Sequence, residues 1–365
     1  MAIAFDQTRW ERVKENARAW WAGELDRPLI QIRLHGTEPD RPEPKVPSHG
    51  FYSFYNPSVT PEQIIDRADY DLSRQEFLGD AFPTVWANFG PGVLAAFLGA
   101  YLENGDNTVW FKPDRERDVT ELDFELDLQN DWLQRVRAIG EAAGKSWDGL
   151  VQFGVTDLGG SMDVLSTFRP GAQLLLDLHD HPEAVKERVW ALHELWFKAY
   201  DYLNQSLRPP NPGYTAWTPI FSEETYYMLQ CDFCFLIGPE MFDQFVKPEL
   251  AACCRRLANP FYHLDGPGEL PHLDSLLTID ELKGVQWIPG AGAPGVESWP
   301  EVYRKIRGAG KLMQLFGSQS AMNWRVLDVL AEQLGDARGI CMIADAPASE
   351  RDEVMEFLHK YGADV

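Results

Sequence analysis

FYHLDGPGELPHLDSLLTIDELKGVQWIPG, residues 261–290, contains an apolar strand, a turn of glycine and proline, a helical segment and a second apolar strand. The same alternation runs through most of the chain after residue 146. Candidate strands lie at 84–88, 150–154, 214–217, 228–233, 261–265, 285–288, 312–316 and 339–343. Strands that alternate with helices favour a parallel sheet, and eight of them favour a closed (β/α)8 TIM barrel.

The segment before these strands has a different character. Trp10, Val13 and Ala17 recur at helical spacing, a β-run follows at 29–34, and aromatic residues crowd the chain from Phe51 onward. No linker or internal repeat divides the sequence. We therefore predict one structural domain, with an N-terminal helical and aromatic extension over residues 1–83 packed on a barrel over residues 84–365.

The composition excludes several classes of partner. The 365 residues carry a formal net charge of −23, and nucleic acids and anionic membranes both need a positive surface to bind. No apolar run is long enough to span a bilayer, and the first residues lack the basic and apolar regions of a signal peptide. The five cysteines are an odd number, which disfavours a disulfide framework. We expect a cytoplasmic protein that acts on a small molecule.

His263 and Asp265 give the sharpest chemical signal in the sequence. They are two residues apart on a predicted strand, so their side chains point to the same face. Gly266 follows directly and lets the chain turn at the strand end. An imidazole beside a carboxylate suits half of a divalent-metal site or an acid/base pair, and both residues are candidate catalytic residues.

Other polar residues follow the remaining predicted strands, at the end where barrel active sites form. Asp232 and Glu223 are further catalytic candidates. Arg169, in so acidic a protein, could hold a substrate carboxylate or phosphate, or it could instead pair with Asp163 or Asp157. The candidates for substrate binding are Trp287, Arg169, Asp157, Trp86 and Gln319.

Four segments resemble the uroporphyrinogen decarboxylase superfamily. They are the stretch from Phe168 to Glu183, the helix start at Ile237–Leu250, the strand Tyr262–Gly266 and the final strand Gly339–Asp345. The resemblance begins at about Thr84 and extends to the C-terminus. It implies a barrel enzyme, and it covers both the decarboxylase and corrinoid-dependent methyltransferases.

Two departures from that family decide between its branches. The sequence lacks the N-terminal arginine-rich motif of the decarboxylase, and its charge disfavours an octacarboxylate substrate. The zinc methyltransferases have a histidine and two cysteines where this chain has His263, Asp265 and, approximately, Asp345. The resemblance therefore implies a metal-assisted methyltransferase in which these three residues bind zinc or a harder divalent ion. It also implies a small methylated substrate and a corrinoid, or a corrinoid protein, at the barrel mouth.

Two other functions remain open from the residues. A strand-end rim rich in carboxylates and aromatic rings is also typical of carbohydrate-active barrels, in which paired carboxylates do acid/base work. A non-catalytic ligand-binding barrel is the third possibility, because a fold does not fix a function.

Overall fold

The computed structural model describes residues 3–208 and 210–364. Its strands are β1 (Leu29–His35), β2 (Gln75–Gly79), β3 (Thr84–Trp86), β4 (Tyr101–Asn104), β5 (Val109–Lys112), β6 (Gln152–Gly154), β7 (Tyr226–Leu229), β8 (Asn259–Asp265), β9 (Gly284–Ile288), β10 (Leu312–Phe316) and β11 (Ile340–Pro347).

Helices cover these strands and connect most of them. They are α1 (Gln7–Trp21), α2 (Pro61–Ser73), α3 (Leu94–Phe97), α4 (Asp131–Trp147), α5 (Ser161–Phe168), α6 (Gly171–Asp180), α7 (Pro182–Leu207), α8 (Pro239–Met241), α9 (Lys247–Arg256), α10 (Leu273–Leu276), α11 (Pro300–Gly308), α12 (Val326–Leu334) and α13 (Arg351–Lys360). A π-helical turn, Phe242–Val246, joins α8 to α9. No described helix combines the length and apolar character needed to cross a membrane.

A mostly parallel sheet forms the centre of this mixed α/β fold. Its seven strands have the order β2-β1-β11-β10-β9-β8-β7, and only β2 runs antiparallel to its neighbour. Strands β3 and β6 form a separate parallel pair, and β4 and β5 form a hairpin. Strands β7, β9 and β10 are almost wholly buried, which explains their largely apolar sequences, whereas β8 has polar, partly exposed residues at its ends.

The N-terminal segment is more than the packed extension that the sequence suggested. Its strands β1 and β2 lie in the central sheet, where β1 pairs in parallel with β11. The predicted first helix is present as α1, with Trp10, Val13 and Ala17 on its buried face. The β-run at 29–34 was visible in the sequence, but its pairing with the last strand is a long-range contact that no local pattern encodes.

Two other elements differ from the sequence prediction. Residues 214–217 form no strand, and only a single antiparallel bridge joins Tyr214 to Ser222. Prolines 210, 212 and 219 flank this segment and remove backbone donors that a ladder requires. Helix α4 was not predicted, although Asn130 caps its first turn through hydrogen bonds from Trp132 and Leu133 N–H.

Asp80 ties α1, β1 and β2 together. Its buried carboxylate accepts hydrogen bonds from Asn16 in α1, from the Ile30 N–H in β1 and from both terminal nitrogens of Arg27. Because the carboxylate is almost fully withdrawn from water, its loss leaves several donors unpaired in the interior.

We predict that Asp80→Ala lowers the free energy of unfolding by about 3 kcal/mol or more, since it breaks a buried ion pair. Urea denaturation followed by circular dichroism measures the change. Asp66→Ala is the matched control, because its pair with Arg41 is exposed and should contribute less than about 1 kcal/mol. Equal losses in the two variants would contradict this assignment.

Candidate metal centre and active site

Asp232, His263 and Asp265 meet at the C-terminal ends of two adjacent strands. His263 and Asp265 lie at the end of β8, and Asp232 begins the short turn that follows β7. One ligand atom from each of the three lies within 4.8 Å of the others. Gly266, at φ +78°, turns the chain immediately after Asp265. We call Asp232, His263 and Asp265 the strand-end triad.

A row of hydrogen bonds fixes the imidazole of His263. The Gln286 amide oxygen accepts from His263 Nδ1, and the Gln286 amide nitrogen donates to Gln314 and Thr218. Gln286 stands opposite His263 in the β8–β9 register, and Gln314 stands opposite Gln286 in the next strand. With its proton on Nδ1, His263 presents the Nε2 lone pair on the Asp265 side, where Nε2 lies 4.0 Å from Asp265 Oδ2.

Three further carboxyl groups surround the triad. Burial raises the pKa of Asp157 to about 7, of Asp163 to about 8 and of Glu269 to about 9, and the nearby charge of Asp232 adds to each shift. Burial also raises the pKa of Asp232, which His263 partly offsets.

These three groups and Asp232 lack cationic partners. Among the residues described, none of the four has a lysine or arginine nitrogen within 4.0 Å. The site therefore gathers carboxyl groups that no lysine or arginine among the described residues neutralises, and protons or an added cation must relieve the repulsion between them.

A cavity of about 320 Å³ opens beside the triad and shares Asp232 with it. Asp163 and Gln230 also line it, and Asp163 Oδ2 and Gln230 Oε1 have no hydrogen-bond partner among the described residues. Gly92 and Gly159 form part of the wall. A Cβ on Gly159 would lie 2.7 Å from Gly92 Cα, so the two loops can approach this closely only because residue 159 is a glycine.

The structure brings together only some of the predicted site residues. Asp157 lies buried close enough to Asp232 for the two charges to interact. Trp86 is half-buried in β3, and Gln319 lies in the turn after β10, but neither belongs to the triad.

Asp345 does not belong to this group, in which the third converging residue is Asp232. Arg33 and His35 in the neighbouring strand β1 engage its two carboxylate oxygens at 2.9 and 2.7 Å. Both contacts lower the pKa of Asp345 against the opposing effect of burial.

Three other candidates lie outside the strand-end triad. Glu223 precedes β7, and so lies at the opposite end of that strand from Asp232; it pairs with Arg18 at 2.8 Å. Trp287 is fully buried against Trp299 and cannot reach a substrate. Arg169 forms ion pairs with aspartates, as one of the two alternatives predicted, but its partners are Asp177 and Asp118.

The sequence prediction missed Gln286 and Gln230. Successive residues of a strand point to opposite faces of the sheet, so in β9 Gln286 faces His263 and Trp287 faces the other way. A usable signal was present, because β9 and β10 each carry one glutamine in an otherwise apolar run. An isolated polar residue in a buried strand must find a partner inside the protein.

Comparison with known proteins gives a likeness in fold. The chain is similar in fold to a methyltransferase. That protein, a methyltransferase from Methanosarcina mazei, is 13% identical with a TM-score of 0.56, and the match covers 94% of this chain and 98% of the other. No family model matches the sequence, and no curated protein matches it.

We predict that the metal-free protein loses stability as pH rises from 6 to 8. Asp157, Asp163 and Glu269 have pKa values of about 7, 8 and 9 in the folded state, far above those of unfolded carboxyl groups. The folded protein therefore holds protons that the unfolded chain has released, and stability falls as those protons leave. Urea midpoints at the two pH values measure the effect.

Glu269→Gln should flatten this pH dependence, because the amide keeps the shape and does not titrate. Asp274→Asn is the control, since Asp274 is exposed and paired with Lys305 outside the site. A wild-type protein that is equally stable at pH 6 and pH 8 would show that the buried carboxyl groups do not hold these protons.

Proposed function

We propose that this protein is a metal-assisted methyltransferase on a (β/α)8 barrel, with a divalent cation held by Asp232, His263 and Asp265. The observation that carries the proposal is the convergence of these three ligand atoms within 4.8 Å, on a fold similar to that of a methyltransferase. A hydrogen bond of 3.0 Å from Val155 N–H to the Thr215 carbonyl supports continuation of the sheet beyond β6, as a closed barrel requires.

The donor set fits a divalent cation. Two carboxylates and one neutral imidazole suit zinc at a catalytic site and also harder ions such as Mn²⁺, and they leave positions open for a reactant. The contact between His263 Nδ1 and Gln286 is the kind of support that metal-bound histidines usually have. When bound, such an ion supplies Lewis-acid chemistry, which activates a methyl acceptor or polarises a leaving group.

The cavity beside the triad favours a neutral or cationic methyl compound. Asp163 and Asp232 line it, and no lysine or arginine does so among the described residues. An anionic substrate would find no cationic side chain there to compensate its charge. At neutral pH Asp163, with a pKa of about 8, holds a proton at the cavity wall that it can donate to a leaving group.

We further propose that a corrinoid, free or on a partner protein, accepts or supplies the methyl group at this end of the sheet. Phe235 and Leu236 follow Asp232 closely, and their side chains are 60% and 52% exposed. Phe235 also contacts the Gly268 turn beyond Asp265. Two exposed apolar side chains at the rim supply a surface on which a large flat cofactor or its carrier can lie.

For the alternative, a carbohydrate-active enzyme, the structure offers one pair of carboxylates. Asp232 and Asp265 are close enough to act as paired carboxylates, but the candidate stacking ring of Trp287 is buried away from them. The methyltransferase therefore accounts for more of the site, because it uses the imidazole and its glutamine support as well.

We predict that His263→Ala, Asp265→Asn and Asp232→Asn each lower the occupancy of a bound divalent cation. Protein stripped with chelator and reloaded with Zn²⁺ or Mn²⁺ is assayed by inductively coupled plasma mass spectrometry. Gln286→Met should weaken metal affinity about 10- to 100-fold by freeing the imidazole. Asp345→Asn is the control, because Arg33 and His35 engage that carboxylate. Occupancy that falls in Asp345→Asn and not in Asp232→Asn would reverse the ligand assignment.

We predict that the metal-loaded protein transfers a methyl group from a neutral or cationic methyl compound to cob(I)alamin. The loss of cob(I)alamin absorbance in the ultraviolet–visible spectrum measures the reaction across a panel of donors. Asp232→Asn should abolish it, and Asp345→Asn should retain it. The carbohydrate function would be established instead if the wild type hydrolysed a glycoside and transferred no methyl group, and if Asp232→Asn and Asp265→Asn both lost the hydrolysis.

A further inference from the structure

A second cavity lies between the loop of residues 52–57 and helix α4. It has a volume of about 360 Å³, within the range of about 300–1,000 Å³ for small-molecule pockets. None of the strand-end triad lines it. Its walls include Tyr52, Tyr55, Phe89 and Trp132, with Ser53 and Arg135 as polar members. We call this the aromatic cavity.

Two aromatic pairs shape the walls of the aromatic cavity. The rings of Tyr52 and Tyr55 meet edge to face with centroids 5.7 Å apart, and those of Phe89 and Trp132 do so at 5.9 Å. The rings of Tyr52 and Trp132 are partly exposed and offer aromatic surface to a planar ligand, while Tyr55 and Phe89 are buried. The shape and chemistry therefore suit an aromatic ring.

Arg135 supplies a charge that the rest of the protein leaves unmatched. Its guanidinium donates one hydrogen bond to the Val59 carbonyl, and no carboxylate oxygen lies within 4.0 Å of it in the part of the chain that the structure describes. Burial lowers the pKa of Arg135, and Glu62 offsets this only in part. A half-buried guanidinium with free donors gains most from a carboxylate, which it binds through two parallel hydrogen bonds.

Two other polar groups refine the ligand class. Ser53 is 7% exposed, and its hydroxyl has no partner among the described residues, so a second polar contact is available. Asp131 also lines the aromatic cavity, one helical turn from Arg135 and exposed to solvent. One guanidinium opposed by one exposed carboxylate accommodates a single negative charge and disfavours a dianion.

We propose that the aromatic cavity is a second ligand site, which binds a small aromatic monocarboxylate with its carboxylate on Arg135 and its ring between the aromatic walls. The net charge of −23 does not prevent this, because charges beyond about 8 Å are largely screened at physiological ionic strength. The site is independent of the methyltransferase proposal, since it shares no residue with the triad or its cavity.

Isothermal titration calorimetry of the full chain with benzoate, benzamide and acetate tests the proposal. Benzoate should bind at least tenfold more tightly than benzamide, which has the ring without the charge, and than acetate, which has the charge without the ring. Arg135→Gln should weaken benzoate binding at least tenfold. Arg137→Gln is the matched control on the same helix, because Arg137 pairs with Glu141 and Tyr202 and does not line the aromatic cavity.

Benzoate that binds no better than benzamide or acetate to the wild type would overturn the proposal. So would benzoate affinity that is unchanged in Arg135→Gln. If circular dichroism shows that Arg135→Gln does not fold, the question is decided by Trp132→Ala and by the comparison of the three ligands on the wild type. Asp232→Asn should bind benzoate as the wild type does, which separates this site from the proposed metal centre.

Discussion

Electrostatic repulsion among carboxyl groups is the constraint on which this site depends. Asp232 and Asp265 stand beside one imidazole, while Asp163 and Glu269 lie behind them in surroundings that disfavour charge. A protein gains nothing in stability from gathering acids where no basic side chain reaches them. The arrangement persists because the fold holds the strand ends in place and because protons, or a cation, remove part of the charge.

The parallel register of the sheet places the functional groups. His263, Gln286 and Gln314 stand side by side across three neighbouring strands, so one hydrogen-bonded row passes from the imidazole into the core. A shift of one residue in any of these strands would turn its polar side chain to the opposite face. The apolar residues that alternate with this row, such as Trp287, hold the register by packing under the helices. The packing of the core therefore also fixes the geometry of the site.

The sequence predicted those parts of the site that local rules determine. The i, i+2 spacing and the following glycine placed His263 and Asp265 on one face at a strand end. Asp345 lies outside the strand-end triad and is instead contacted by Arg33 and His35 from β1, which pairs with a strand more than 300 residues away in sequence. Glu223 lies away from the triad because β7 begins only at Tyr226, which puts that glutamate at the opposite end of the strand. Long-range pairing and exact strand ends are settled by tertiary contacts, which a single sequence does not contain.

Under the proposed function, the same charge balance would link metal binding to pH. Protons on Asp157, Asp163 and Glu269 and a cation on the triad relieve the same repulsion, so each weakens the need for the other. At pH 6 the three buried groups are largely protonated, and their charge contributes little to holding a cation. As pH rises through about 7 to 9 they ionise, and their negative charge comes to favour the cation that the triad holds. Under the proposed function the site therefore exchanges protons for metal across the physiological range.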